Sequence, residues 1–307
     1  MEKILVATEK PFAKAAVESI KEVITKAGFE MVKLEKYTDK AELLKAVADV
    51  DSMIIRSDII DRSVLEAAKN LKIVVRAGAG YDNIDLKAAT EKGVVAMNTP
   101  GQNSNAVAEL VFGLAIYMIR GGYDGSTGFE LRGKTIGILA FGYIGKIVAS
   151  IAKGFGMKVH AFDPFVDKSV MDKEGVICES SAESLFSKCQ FISIHLPGNE
   201  KTKRIINYNL LKLMPENAIL INTARKEVID EESLLKIMEE RKDFRYTSDI
   251  EADCKALLVQ KYPGRFFFTA KKMGAQTHEA NNNAGVAAAN QVVNFFIKGD
   301  KTFQLNK

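Results

Sequence analysis

Arg225 stands directly behind Asn222-Thr223-Ala224, at the end of the apolar run 218–221, and Lys272 stands two residues before Gly274. A guanidinium can grip a carboxylate through a two-point fork, and an amine can carry a proton to or from a reacting oxygen. Arg56 and Arg76 end two earlier apolar runs, the first followed by Ser57 and the second by Ala77 and Gly78. One arginine at a strand end is ordinary surface charge. Three of them beside a nucleotide site favour an anionic substrate. The nucleotide signal is the turn from Ala140 to Gly145 together with Asp163, which follows Gly142 at the spacing of roughly 20 residues expected for an acid that receives a ribose diol and repels a 2′-phosphate.

These groups need a scaffold, and the sequence outlines one. Residues 135–139 are β-branched or apolar, as suits a strand buried on both faces. Gly142, Tyr143, Ile144 and Gly145 then open a run of helical spacing, and residues 158–162 form a second strand ending at Asp163. Unpaired N–H groups at the start of that helix can receive a pyrophosphate. Ala140 replaces the first glycine of the usual turn motif, so this position is expected to avoid positive φ, where a Cβ is disfavoured.

The same plan recurs along the chain. Strands are predicted over 4–7, 29–34, 53–55, 73–75 and 94–97, alternating with helical runs, and Asp39 is placed to cap one of them. Asn98-Thr99-Pro100-Gly101 breaks the alternation and marks a domain junction, followed by an apolar helix over 105–119. Further strands are predicted over 191–195, 218–221, 246–250 and 265–269, then a helix over 281–298 and a returning strand near 303–305. The fold class that follows is α/β, with two Rossmann-like, doubly wound parallel-sheet domains. Ligands of such sheets bind beyond the carboxyl ends of the strands, where Arg56, Arg76, Asp163, His195, Arg225, Asp249 and the segment around Lys272 fall.

Composition narrows the function. The chain has 307 residues, 47% hydrophobic and 27% charged, with a net charge of +4 and basic and acidic residues interspersed, so no nucleic-acid footprint is visible. Three cysteines without metal-type spacing fit reduced thiols in a cytoplasmic protein, and no metal set is expected. No apolar run reaches membrane-span length, so no membrane partner is expected, and residues 1–3 lead straight into a strand without a signal-peptide core.

With the segments 76–85, 98–109, 222–225 and 274–277 added to the Gly142 turn and Asp163, the chain resembles the D-isomer-specific 2-hydroxyacid dehydrogenases over nearly its whole length. Within that family it looks most like the short, lysine-type phosphoglycerate dehydrogenases that lack a regulatory domain. The resemblance implies a flavodoxin-like substrate domain made of both chain ends, 1–98 plus 281–307, around an NAD-binding domain over 99–280. It implies a homodimer, and NAD as cofactor, held by Ala79, Asn105, Gly142 to Gly145, Asp163, His195-Leu196-Pro197, Thr223-Ala224-Arg225, Asp249, Lys272 and Gly274-Ala275. Arg225 would bind the substrate carboxylate. Arg56, Ser57, Arg76, Ala77 and Gly78 would bind the rest of a phosphorylated hydroxy acid, for which 3-phospho-D-glycerate is the expected identity.

Two departures from the family pattern matter. Most members carry a catalytic histidine where this chain has Lys272, and a glutamate that orients it where this chain has Cys254. Either the chain is a relic that binds NAD without catalysis, or Lys272 replaces the pair as one unit. A lysine begins near pKa 10.4 and needs lowering, so it has no use for the glutamate; burial and a nearby Arg225 would both lower it. The lysine reading is the preferred one. Reductases of other 2-keto acids and non-catalytic NAD-binding modules remain alternatives. His160, His195 and His278 are not expected to be the catalyst, although His278 is near enough in sequence to stay a rival.

Overall fold

The computed structural model describes all 307 residues, Met1–Lys307. The chain divides into two compact units, Met1–Asn103 with Ala275–Lys307, and Ser104–Gly274. These divisions lie a few residues from the expected ones after 98 and before 281. The shift has a local reason: the helix Ser104–Ile119 is buried on most of its surface against other elements of the second unit.

The first unit holds β1 (Lys3–Thr8), β2 (Glu30–Glu35), β3 (Ser52–Ile55), β4 (Ile73–Arg76) and β5 (Val95–Asn98), ordered β2-β1-β3-β4-β5 and all parallel. In β1, Ile4, Leu5 and Val6 have no exposed surface, because helices cover both faces of the sheet. Each such side chain contributes about 1.5–3 kcal/mol of burial. The helix His278–Lys298 starts at a Thr277 cap and ends at Gly299, whose φ of +68° suits a glycine stop. It packs so closely on the helix Lys14–Lys26 that a Cβ on Gly285 would stand 2.7 Å from Ile20.

The second unit holds β6 (Thr135–Leu139), β7 (Lys158–Phe162), β8 (Ile177–Cys178), β9 (Phe191–Ile194), β10 (Ile219–Asn222), β11 (Arg245–Ser248) and β12 (Phe266–Phe268). The order β12-β11-β10-β9-β6-β7-β8 is again parallel throughout. Strand order reverses at β6 and β9, and in an open sheet that reversal opens the ligand crevice. The turn after β6 and His195 after β9 therefore sit at the switch point.

Two expectations need correction. The predicted strand 246–250 stops at Ser248, because the Ser248 hydroxyl accepts the N–H of Ile250 at 3.0 Å and turns the chain; Asp249 thus lies in a loop. Residues 303–305 form no returning strand. Gln304 makes an isolated antiparallel bridge to Met97, and Asn306 closes the free edge of β5 through its side chain, accepting from Ala96 N and donating to Val94 O, both at 2.8 Å.

Candidate active site

The turn after β6 is held by Asp163. Its Oδ2 accepts the N–H of Phe141 at 2.8 Å and its Oδ1 accepts that of Phe165 at 2.9 Å. Each carboxylate oxygen keeps a further lone pair, so the acid shapes the turn and still has capacity for a diol. Ala140 does not avoid positive φ: it sits at +76°. The expectation for this residue is overturned, and the turn needs a left-handed residue here whether or not it is glycine. An alanine in that conformation costs about 1–2 kcal/mol.

The two remaining glycines act differently. A Cβ on Gly145 would lie 2.6 Å from the Ala140 carbonyl oxygen, so the helix approaches the turn too closely for a side chain. A Cβ on Gly142 would meet nothing within 4 Å, and Gly142 starts the helix Tyr143–Gly154 without a side-chain cap. Open space above an uncapped helix start fits a pyrophosphate. Tyr143 is exposed and Ile144 half-buried at this start.

The turn after β10 projects Arg225. Asn222 folds it, its Oδ1 accepting from Ala224 N and its Nδ2 donating to Arg225 O, both at 2.9 Å. Gly198, in the loop that follows His195-Leu196-Pro197, leaves room for the arginine stem, since a Cβ there would be 3.0 Å from Arg225 Cγ. Arg225 Nη1 donates to Ala224 O at 3.0 Å, and Lys272 Nζ donates to the same oxygen at 3.3 Å. The structure thus brings the two expected catalytic cations to one acceptor. As a residue Lys272 is exposed, and its Nζ reaches the Ala224 carbonyl oxygen from the 269–274 segment.

Asp249 is fully buried. Its Oδ2 accepts Gly274 N at 2.8 Å and Met273 N at 3.3 Å, while Oδ1 has no partner. A Cβ on Gly274 would lie 2.9 Å from that Oδ2. Thr223 Oγ1 and His195 Nδ1 are likewise buried without partners. His195 Nε2 lies 2.9 Å from Ser193 Oγ, and burial pushes its pKa down to about 3, so the ring is neutral and unsuited to cycle protons near neutrality. Orphaned buried polar atoms are uncommon. Three of them at the carboxyl ends of β9, β10 and β11 fit a cofactor that brings amide and hydroxyl groups.

In the first unit, Arg76 Nε donates to Arg56 O at 3.0 Å, and its guanidinium lies over Gly78, where a Cβ would be 2.2 Å from Nη1. Gly78 N donates to Thr99 Oγ1 at 2.7 Å, and Asn98 Nδ2 to Ala79 O at 2.6 Å, so the 76–79 loop is tied to the end of β5. Ala77 is buried; Ala79 and Ser57 are exposed. The Arg56 guanidinium donates to Lys10 O, Pro11 O and Asn281 Oδ1 and lies 5.1 Å from the Phe12 ring centre, so most of it serves the unit's own structure. Asn105 is exposed and donates to Glu109 at 2.7 Å. Ala275, Gln276 and Thr277 lead into the last helix, where His278 is exposed.

Sequence reasoning missed several positioning groups. Asp58, 2% exposed, accepts from Glu9 N and Tyr37 OH at 2.7 Å and from Arg56 N at 3.0 Å, and so sets the loop that carries Arg56. Glu231 accepts Asp253 N and Cys254 N at 2.8 and 2.7 Å, holding the loop after Asp249. An acid two residues after a strand-end arginine was the available signal for Asp58; nothing local marks Glu231. A recess of about 270 Å³ beside this loop is lined by Lys203, Arg204, Lys226, Asp230, Glu231 and Asp253 among others. Arg204 pairs there with Asp230 at 2.6 Å and Lys226 with Asp253 at 2.7 Å, and neither Arg225 nor Lys272 is among the lining residues.

Paired parallel α/β units, a glycine turn with a terminal acid, and an arginine beside a lysine define a nucleotide-dependent dehydrogenase class. Residues 115–255 match the family described as D-isomer specific 2-hydroxyacid dehydrogenase, NAD binding domain. Over 272 residues the chain is 36% identical to D-3-phosphoglycerate dehydrogenase of Methanocaldococcus jannaschii, covering 82% of this chain and 51% of that enzyme. The chain therefore spans about half the length of that relative. It is 39% identical over 219 residues to hydroxypyruvate reductase of Thermotoga maritima, covering 67% of this chain and 70% of the relative. A structure of NAD+-bound 3-phosphoglycerate dehydrogenase from Entamoeba histolytica is similar over 100% of this chain and 99% of that one, at 47% identity and a TM-score of 0.90. The chain belongs to the D-isomer-specific 2-hydroxyacid dehydrogenase family, resembles its phosphoglycerate dehydrogenases, and has NAD as its cofactor.

Proposed function

We propose that the chain catalyses the NAD-dependent oxidation of 3-phospho-D-glycerate to 3-phosphohydroxypyruvate, and the reverse reduction. The observation that carries this reading is the convergence of Arg225 and Lys272 on the Ala224 carbonyl oxygen. Arg225 binds the substrate carboxylate through its fork. Lys272, as neutral amine, takes the hydroxyl proton during oxidation and returns it to the carbonyl oxygen during reduction. Bound NAD supplies the hydride acceptor. Asp249 Oδ1 and Thr223 Oγ1 would orient its amide end, the uncapped start of the helix Tyr143–Gly154 would hold its pyrophosphate, and Asp163 its ribose. Within the first unit, Arg76, lying over Gly78, is a cation of the kind a phosphate needs. Homodimer assembly and a cytoplasmic location belong to the same proposal; no helix is long and apolar enough to cross a membrane.

A second reading, reduction of hydroxypyruvate or glyoxylate, is favoured by one feature: Arg56 spends its guanidinium on Lys10, Pro11 and Asn281, leaving less of it for a phosphate. NADH oxidation with 3-phosphohydroxypyruvate, hydroxypyruvate, glyoxylate and pyruvate in parallel separates these cases. The first reading expects the highest kcat/KM with the phosphorylated substrate and its loss in Lys272→Ala. Higher kcat/KM with a non-phosphorylated acid supports the second. No turnover with any of them, alongside retained NAD binding, would mark a non-catalytic module.

A further inference from the structure

A lysine ends a flexible four-carbon stem, so where its amine can reach depends on the backbone beneath it. The backbone around Lys272 is gripped on both sides. Upstream, Thr269 Oγ1 lies 2.7 Å from the carbonyl oxygen of Lys271, the residue just before the lysine. Downstream, the N–H groups of Met273 and Gly274 run to Asp249 Oδ2. The grips are joined, because Thr269 Oγ1 also lies 3.1 Å from the Asp249 backbone carbonyl. One hydroxyl proton serves both acceptors, the shorter contact being to Lys271 O. Thr269 is itself fixed: it is 6% exposed, and its N–H donates to Ser248 O at 3.2 Å, continuing the alignment of β11 and β12 by one residue.

We propose that Thr269 is a positioning residue for Lys272. Its hydroxyl holds the Lys271 carbonyl so that the exposed lysine leaves the backbone in one direction, with Nζ beside the Ala224 carbonyl and the Arg225 fork. Thr269 is buried and reaches Lys272 through the backbone of Lys271. A backbone restraint acts together with the contact that Nζ makes to the Ala224 carbonyl oxygen. Small displacements of a proton-transfer group reduce turnover steeply, by about 100-fold for 1 Å. The inference rests on the proposed acid–base role of Lys272.

Thr269→Val keeps the shape and removes the hydroxyl, Thr269→Ser keeps the hydroxyl, and Thr269→Ala serves if the valine variant does not fold. For each, kcat and KM are measured for NADH-dependent reduction of 3-phosphohydroxypyruvate, with NADH affinity by fluorescence titration. The expected result is a kcat about tenfold or more lower in the valine or alanine variant, NADH affinity within about twofold, and recovery in the serine variant. A second readout isolates positioning from general damage. In Lys272→Ala, activity restored by added ethylamine comes from an amine with no tether, so adding Thr269→Val to that background should leave the rescued rate unchanged. An unchanged kcat in Thr269→Val, or equal loss of kcat and NADH affinity in the valine and serine variants, or a further loss in the rescued double variant, overturns the proposal. Full activity of Lys272→Ala without any amine overturns the acid–base reading itself, a failure distinct from these.

Discussion

Lys272 Nζ and Arg225 Nη1 donate to one atom, the carbonyl oxygen of Ala224, at 3.3 and 3.0 Å. Two cations held side by side repel each other, and the shared carbonyl dipole offsets part of that repulsion. A carboxylate that carries an oxygen on the adjacent carbon meets both needs at once. The arrangement predicts that the two residues act as one unit.

Lys272→Ala and Arg225→Ala should each lower kcat/KM for the best substrate by roughly 100-fold or more, and the double variant should fall little below the worse single one, as expected for groups that share one task. Arg225→Lys should not rescue, because an ammonium lacks the fork. Steady-state kinetics on the four proteins checks this; losses that multiply in the double variant would show independent roles.

Ala140 carries a positive φ of 76°. Ala140→Gly removes strain in the folded turn and adds freedom to the unfolded chain, and the two effects nearly cancel, so stability should change by less than about 1 kcal/mol. NAD affinity should stay within a fewfold. Gly145→Ala, by contrast, drives a Cβ against the Ala140 carbonyl and should destabilise by about 1–3 kcal/mol while weakening NAD. Thermal denaturation with and without NAD measures both.

Asp163→Ala removes the acceptor of Phe141 N and Phe165 N as well as the charge proposed to face the ribose. NAD should bind about tenfold more weakly, and the preference for NAD over NADP should narrow. Titration with each dinucleotide tests the assignment, which an unchanged preference would contradict.

Glu179, buried between β8 and the helix Ala182–Lys188, makes the protein acid-sensitive. Burial raises its pKa, but hydrogen bonds from Lys188, Ser184 and His160 outweigh that and bring it to about 2, below its ordinary 4.5. A depressed carboxyl pKa stabilises the fold above the unfolded value, and that stability fades as pH falls from about 4.5 towards 2. Glu179→Gln should therefore cost about 1–3 kcal/mol near neutrality, and the gap to wild type should shrink as the pH drops through that window. Urea unfolding at about pH 7, 4 and 3 shows whether the gap closes.

Much of the fold was legible in the sequence because parallel strands buried on both faces appear as short apolar runs, and each helical run between them has its own period. Strand ends were less so. Ser248 ends β11 with its own hydroxyl, and Asn306 replaces a strand with one side chain; both depend on single contacts that leave no periodic trace. Candidate residues at strand ends, such as Arg76, Asp163 and Arg225, could be named because open α/β sheets gather ligands there. The conformation of Ala140 could not be read, since residue type states a preference and the surrounding turn decides whether to override it.

The sequence by itself determined the class of chemistry, that of an NAD-dependent 2-hydroxyacid dehydrogenase, and named Asp163, Arg225 and Lys272 as the candidates for it. Only the tertiary structure decided which groups are free to act. It spends most of Arg56 on Lys10, Pro11 and Asn281, leaves one oxygen of Asp249 unpaired, and brings Lys272 and Arg225, 47 positions apart in the chain, to one carbonyl oxygen. Residue types set what each group can donate or accept. Which partners already claim it follows from contacts between distant segments, which exist only in the folded chain.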